Sequence, residues 1–519
     1  MSVQGHNGSP PKKRLLNDSI RMNTSSLATP AVTPAKLPRS RRREFLYLVL
    51  ALIALTVALR LPAFFVEVFN SDETFLATQA EVIQAGGDLY REATDRKPPL
   101  VPYLYAATFT VFDTNGLWTV RVVAMGAAAL TAILLALEAR RRYGERTAWV
   151  AGLLCTFSLI ACAPQDGQAA NFEIFMLPTM TAGVLLARRG RTASAGVAIA
   201  LATLAKQTGA ATLLPVLYLV ARARGRRGIA ETLGGFGIPL VLMALALGPG
   251  QVLYWTVIGN GSYVGVKTIS SYVALSFLLM TLAWIGANLP MVIHLPKSWT
   301  LRKSINADGE NNIDLWIWVL SAVLSILIGL RFFGHYYLQL VPPVVLLATG
   351  ALMSASKRVV TVTVVASGIL ALIISSAGYF LLPFGSEPKY QAVSRYLAAH
   401  SGPNDRMIVW GSVPEIYWAS GVKPATRFLT TNTFLAGNHP GRRGSDAAPE
   451  DSDPEVWNLF FNDITKQPPR FIVDTATAGI RSAEWTPLSR FSRLSALIKN
   501  KYRVANVIDD FTVYQRRKS

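Results

Sequence analysis

The sequence predicts a polytopic α-helical membrane protein of about eleven spans, followed by a soluble α/β domain. Three observations carry that prediction. Apolar runs near the length of a bilayer crossing recur from Phe45 to Leu382. Basic residues collect in the short segments between alternate runs. Beyond Leu382 the pattern changes to short β-type runs alternating with helical ones. Composition agrees, with 51% of the 519 residues hydrophobic and only 16% charged; soluble domains run nearer ~25% charged. A net charge of +20 would suggest nucleic-acid binding in a soluble chain. Here the basic residues sit in loops between apolar runs, so topology accounts for them.

Residues 1–44 are rich in Ser, Pro, Asn, Lys and Arg and lack apolar periodicity. They read as a disordered basic cytoplasmic tail ending in Arg39, Arg41, Arg42 and Arg43. The run from Phe45 to about Phe65 is long enough to span, and no small-residue cleavage site follows it. It reads as a retained first helix and not a signal peptide. With the arginine cluster inside, run 45–65 goes out, 117–138 returns and 147–163 goes out. Run 172–187 returns, and 193–205 with 209–221 reach out and back around Lys206. Runs 230–248, 273–295, 313–330, 336–354 and 359–382 then alternate, ending outside. In this register the basic segments at Arg140–Arg142, Arg188–Arg191, Arg222–Arg227, Lys297–Lys303 and Lys357-Arg358 all fall on the inner side. That agreement supports a multi-pass plasma-membrane protein with a cytoplasmic N-terminus. The two runs around Lys206 are too short to cross alone and are expected to be tilted or buried in protein. Val101–Phe112 is also short, and should lie along the interface or inside the bundle.

Residues 45–382 thus form a membrane domain and 383–519 a soluble one. The latter holds β-type runs Met407–Trp410, Arg470–Asp474 and Phe511–Tyr514 with helical runs Tyr390–Ala399 and Leu494–Asn500. An odd number of spans places it on the extracytoplasmic face. The polar stretch Gly437–Pro454 reads as a mobile loop within it. Cys155 and Cys162, seven residues apart in one apolar run, would be roughly 10 Å apart on one helix, too far to bridge. They read as small core residues.

The topology brings the unusual polar residues to one membrane face. Asp72, Glu73, Arg96 and Lys97 belong to the first outer loop, and Gln165, Asp166, Asn171 and Glu173 to the second. Lys206 and Gln207 sit at the tip of the short pair. Tyr254, Asn260 and Tyr263 follow in the fourth outer loop, and Arg331, His335, Tyr336 and Tyr337 in the fifth. Ionisable groups near lipid are costly unless they serve a cavity. Carboxylates mixed with cations, hydroxyls and amides suit a site that handles a phosphate and a hydroxyl nucleophile together. Adjacent acids such as Asp72 and Glu73 repel, so one titrates higher, which suits proton transfer. Plainer roles stand beside these. Asp166 could cap the helix beginning near Asn171, and Lys206 could snorkel to headgroups. Arg331 and His335, four apart on one helical face, could bind lipid headgroups, and Tyr336 and Tyr337 fit an interfacial aromatic belt. There is no G-x-x-x-x-G-K-[ST], no G-x-G-x-x-G after a strand, no H-E-x-x-H and no Cys/His zinc spacing. A nucleotide donor is therefore not expected, and an activated substrate would arrive through the membrane.

The series Asp72-Glu73, Gly86-Gly87-Asp88-Leu89-Tyr90, Lys97-Pro98-Pro99-Leu100 and Arg121 resembles the first outer loop and second span of GT-C glycosyltransferases. Within them it is similar to the protein O-mannosyltransferase and aminoarabinose transferase branch, glycosyltransferase family 39-like. Asp166, the helix from Asn171, Lys206 and then Arg331 through Tyr337 follow that branch's order. The resemblance covers about 66–222 and 331–345, and the C-terminal domain in general layout only. It implies a GT-C-like membrane domain that transfers a sugar from a polyprenyl-phosphate donor, with inversion, to an extracytoplasmic acceptor. Carried over, Asp72 would be the general base, and Glu73 would position the acceptor or tune Asp72. Lys97, with Arg96, Arg331, His335 and Lys206, would bind the leaving lipid phosphate. Tyr90, Gln165, Asp166 and Tyr336 would line the substrate pocket. Asp72 and Glu73 could share a divalent cation such as magnesium or manganese, although two carboxylates are a thin ligand set.

Two other readings compete. A transporter or flippase of a lipid-linked glycan predicts polar residues at the bilayer midplane and internal repeats; neither is evident. A scaffold that has lost activity predicts a broken acidic pair, yet both Asp72 and Glu73 are present. The expected acceptor is an envelope glycan, a lipid or a protein, the first favoured because the outer domain has no evident peptide-binding repeat.

Overall fold

The computed structural model describes residues 39–259, 271–301, 311–380, 389–437 and 453–517. Asn260, Tyr263, most of the Gly437–Pro454 stretch and the expected boundary near Leu382 lie outside the described residues. The described residues from Tyr47 onward belong to one compact unit.

Each described apolar run is helical. The helices are α1 (Arg39–Arg60), α2 (Ser71–Gln84), α3 (Leu100–Phe112), α4 (Leu117–Tyr143), α5 (Thr147–Ser158), α6 (Phe172–Arg188) and α7 (Thr192–Ala205). They continue with α8 (Leu213–Leu247), α9 (Ser271–Ala287), α10 (Ile313–Ile328), α11 (Val341–Leu352) and α12 (Lys357–Phe380). Five helical stretches are long and apolar enough to cross a membrane, or six if a bent pair counts as one span, so the described residues do not supply eleven full spans. Part of the difference is that one 41-residue stretch, Gln207–Leu247, joins two expected runs, 209–221 and 230–248, across a break. Gly225 breaks α8 with φ 56° and ψ −144°, a conformation open to glycine but not to residues with a side chain. A break after α9 turns the chain by 81° into the stretch Leu289–Thr300. Gly334–Leu340 is a 3-10 turn ahead of α11, whose first turn carries Pro342 and Pro343.

A buried ionic cluster ties α4, α6 and α10 together at one end. Arg142 meets Glu138 at 2.7 Å and Asp314 at 2.7 Å, while Arg188 meets Asp314 at 2.5 Å; none of the four side chains is more than 3% exposed. Two guanidinium groups against two carboxylates leave no uncompensated buried charge. Glu173, fifteen residues from Arg188 on α6, lies roughly 22 Å away along the helix axis. The acids and cations of the second and third expected outer loops therefore stand at the opposite end of the bundle.

The C-terminal part begins with α13 (Tyr390–His400) and holds β1 (Arg406–Trp410), β2 (Lys423–Pro424), α14 (Pro454–Lys466), β3 (Phe471–Asp474), α15 (Ser492–Lys501), β4 (Tyr502–Ile508) and β5 (Phe511–Arg516). The sheet order is β2-β1-β3-β5-β4. Strands β2, β1 and β3 run parallel, with Met407 opposite Phe471, and β5 joins β3 antiparallel with Val513 opposite Val473. The apolar runs of β1 and β3 are buried almost throughout, as central parallel strands require. β4 was not legible in sequence because most of its residues are exposed and it lacks an apolar run. It pairs through a tight turn at Asp509-Asp510, both at positive φ.

The core of this part also takes in residues from earlier in the chain. Trp410, Trp457, Phe460 and Phe491 share one cluster with Leu89 and Tyr90 from the first loop and with Trp255. The Thr94 amide donates to the Arg427 carbonyl at 2.8 Å, and the Trp418 indole donates to the Asn115 carbonyl at 3.0 Å. The loop after α2 is thus clamped between the helices and the sheet.

Candidate active site

Asp72 owes its position to Asn70. The Asn70 side-chain oxygen accepts from the Asp72 and Glu73 amides at 3.0 and 3.3 Å, starting α2 as an N-cap. Asp72 then lies in the first turn, where the helix dipole favours a carboxylate. Its neighbour faces the other way. Glu73 is fully buried, pairs with Arg121 at 2.6 Å and accepts from the Ala170 amide at 3.0 Å and the Phe69 amide at 3.1 Å. Arg121 also donates to the carbonyls of Ala63, Val66 and Glu67. The Glu73–Arg121 pair is therefore a buried tie between α2, α4 and two loops. It holds Asp72 in place from behind, and its oxygens do not face the Asp72 side.

Lys97 reaches Asp72 from the loop. The ammonium lies 3.5 Å from Asp72 Oδ2 and 4.0 Å from the centre of the Phe172 ring. Two groups hold the Lys97 backbone. Asp95 Oδ1 accepts from the Arg96 and Lys97 amides at 2.7 and 3.2 Å, and the Tyr90 hydroxyl donates to the Lys97 carbonyl at 2.8 Å. Burial pushes the Asp72 carboxyl up, but the Lys97 charge and the cations behind it outweigh burial and hold it below the usual carboxylate range. Asp95, 5% exposed, moves the opposite way: burial, helped by the Asp72 charge, raises it.

A second group of charges closes the far side. The 164–167 turn carries Asp166, which accepts at 3.0 Å from the His335 amide and meets His335 Nδ1 at 2.6 Å. Glu173, in the first turn of α6, pairs with Lys206. The Lys206 ammonium sits 3.7 Å over the Tyr336 ring, and Tyr336 packs edge-on against His335. Three carboxylates thus face two ammonium groups and an imidazole.

Several expected residues stand elsewhere. Arg96 stacks 4.5 Å over Phe434 and donates to the Thr433 carbonyl at 3.5 Å, so it anchors the loop on the C-terminal part. Tyr90 is wholly buried in the shared aromatic core, and its hydroxyl supports Lys97. Gln165 contributes its carbonyl, which accepts from Asn70 and Asn171. Arg331 and His335 do not share a helical face: α10 ends at Ile328, and His335 lies in the separate 3-10 turn. Arg331 is buried in the intervening loop. Asp72 and Glu73 do not converge on one ion, because Arg121 and two backbone amides engage Glu73. Among the described residues no three His, Cys, Asp or Glu side chains gather as metal ligands do. Sequence reasoning overlooked Asp95, Phe172 and Asn70 and undervalued Glu173. The available signal was an acid or amide directly preceding a loop or helix start, a pattern of capping and turn side chains.

Residues 96–255 match the family model described as dolichyl-phosphate-mannose-protein mannosyltransferase. No curated protein sequence matches the chain. Among solved structures, ArnT from Cupriavidus metallidurans bound to undecaprenyl phosphate superposes with a TM-score of 0.59 at 16% identity, over 92% of this chain and 98% of ArnT. The chain has the GT-C glycosyltransferase fold. Apo ArnT from the same organism gives 0.61 at 15% identity, over 92% of this chain and 97% of ArnT. The oligosaccharyltransferase of Archaeoglobus fulgidus, in complex with zinc and sulfate, gives 0.54 at 14% identity, over 90% of this chain and 73% of that one. The GT-C fold therefore extends well beyond the segment matched in sequence, through both the helices and the C-terminal sheet.

Proposed function

We propose that this protein is a membrane glycosyltransferase that moves a sugar from a polyprenyl-phosphate donor to an extracytoplasmic acceptor, with inversion. The acceptor class is an envelope glycan, a lipid or a protein, with the glycan favoured. The observation that carries the reading is the Asp72–Lys97 pair at the start of α2, faced by the Asp166–His335 and Glu173–Lys206 pairs. ArnT, which shares the fold, was solved with undecaprenyl phosphate. The N-terminus would be cytoplasmic and the site end of the bundle extracytoplasmic, because the opposite end carries Arg140–Arg142 and Arg188–Arg191.

In this reading the acceptor hydroxyl oxygen attacks the anomeric carbon. Its proton passes to the Asp72 carboxylate. The bond from the anomeric carbon to the phosphate oxygen breaks, and its electron pair leaves with the lipid phosphate. A phosphate is a good leaving group, so the protein supplies a base, positioning and cations. Inversion sets the base and the leaving phosphate on opposite sides of the sugar. One hydrogen bond of roughly 3 Å and the two reacting bonds then separate them. Lys97, beside Asp72, supplies positive charge to the departing phosphate. Lys206 and His335 supply further positive charge to the phosphate or the sugar.

The test is transfer by purified protein in nanodiscs, using a panel of radiolabelled polyprenyl-phosphate sugars and a cell-envelope extract. Label in a non-lipid product with wild type, and none with Asp72→Asn, is the expected result. Lipid-linked glycan crossing proteoliposomes without any transfer would replace this reading with a transporter.

A further inference from the structure

We propose that Asn70 is a positioning residue that sets the spacing between Asp72 and Asp166, and that its role goes beyond capping α2. Its side chain works at both ends. The oxygen accepts from the Asp72 and Glu73 amides. The amide nitrogen donates to the Gln165 carbonyl at 2.9 Å and to the Asn171 side-chain oxygen at 3.3 Å. The orientation is fixed chemically, because backbone N–H groups only donate and a carbonyl only accepts. Asn171 is 1% exposed, precedes α6 and donates to the same Gln165 carbonyl at 3.3 Å. On the other flank, Arg60 at the end of α1 donates to the Gly167 carbonyl at 2.9 Å. The residues on either side of Asp166 are therefore both pinned. Asn70 links that turn directly to the helix start that carries Asp72.

The inference rests on the glycosyl-transfer reading for the roles of the two acids, while the bridge itself is geometric. A serine or aspartate at this position still accepts from the α2 amides, since both are good caps; aspartate has no donor, and the serine hydroxyl, one bond shorter than the Asn70 amide, falls short of the Gln165 carbonyl.

The experiment compares wild type, Asn70→Ser and Asn70→Asp in nanodiscs, by thermal melting, by transfer kinetics and by determining the structure of Asn70→Ser. Both variants should keep the wild-type melting midpoint. Their kcat should fall about tenfold to a hundredfold, the scale of an ångström-level misplacement, with donor KM changing far less. In Asn70→Ser the 164–167 turn should move away from α2. Wild-type kcat in both variants would mean that capping is the whole role of Asn70 and would overturn the proposal. An unchanged Asp72–Asp166 spacing in the variant structure would also overturn it, whatever the activity. Absence of transfer by wild type would count against glycosyl transfer and leave the spacing to decide the bridge.

Discussion

The Lys97 ammonium lies 3.5 Å from Asp72 Oδ2 while its other side rests on the Phe172 ring. The contact joins the cation suited to the leaving phosphate with the carboxylate suited to be the base. Under the proposed reading, the same ammonium that steadies Asp72 is the cation available to the departing phosphate.

The pH dependence follows from that pairing. Asp72 must be ionised to act as base, and cations hold its carboxyl below the ordinary value despite burial. The acidic limb of the kcat/KM profile, which reports the free enzyme, should therefore lie below the ordinary aspartate value of about 3.9. Lys97→Ala leaves burial less opposed, so that limb should move to higher pH while the donor KM rises. A limb that stays in place in Lys97→Ala would show that this lysine does not govern Asp72.

Asp72 and Glu73 should separate cleanly under mutation. Asp72→Asn removes the base without disturbing the cap, so transfer should fall by about a hundredfold or more, with the melting curve unchanged. Transfer assays and melting run on the same preparations decide this.

Glu73→Gln should instead act on the fold. It leaves the Arg121 guanidinium, 3% exposed, without its carboxylate. Breaking a buried pair by removing one partner costs about 3–5 kcal/mol. A lower melting midpoint is expected, with activity lost in proportion to folded protein. A Glu73→Gln protein of wild-type stability and no activity would move Glu73 into the chemistry.

A second titration sits in the C-terminal sheet. Burial pushes the Asp474 carboxyl, at the end of β3, up to about 6. Its folded value exceeds the unfolded one, so the folded state binds the proton more tightly. Stability is then lost as pH rises between about 4 and 6. Asp474→Asn retains an oxygen for the Ala476 amide and should raise the melting midpoint above about pH 6, with little change below about pH 4. Equal shifts at both pH values would assign the effect to something other than this titration.

Much of the fold was legible in the chain. Hydropathy placed the apolar helices but read Ser71–Gln84, which carries Asp72, as loop and passed over Pro454–Lys466; β1, β3 and β5 stood out as apolar runs because their side chains are buried. The break at Gly225 falls where the basic segment Arg222–Arg227 already separated two runs, whereas the 81° bend inside the expected run 273–295 was not legible. The soluble domain read as separate, yet Tyr90 and Trp255 complete its core. That sharing is invisible when residues so far apart in sequence are read one segment at a time.

The site divides in the same way. Sequence alone determined which polar residues lie at helix ends, because a charge in an apolar run is costly and few positions can hold one. Only the tertiary structure decided which of them face each other. It turned Glu73 toward Arg121, carried Arg96 onto Phe434, and brought Asp166 to His335 and Glu173 to Lys206. Adjacent residues at the start of a helix point in different directions, roughly 100° apart at 3.6 residues per turn. Partners 25, 48 and 97 residues away (Lys97, Arg121 and Ala170) then settle which of two neighbouring carboxylates is buried as a tie and which faces the cations.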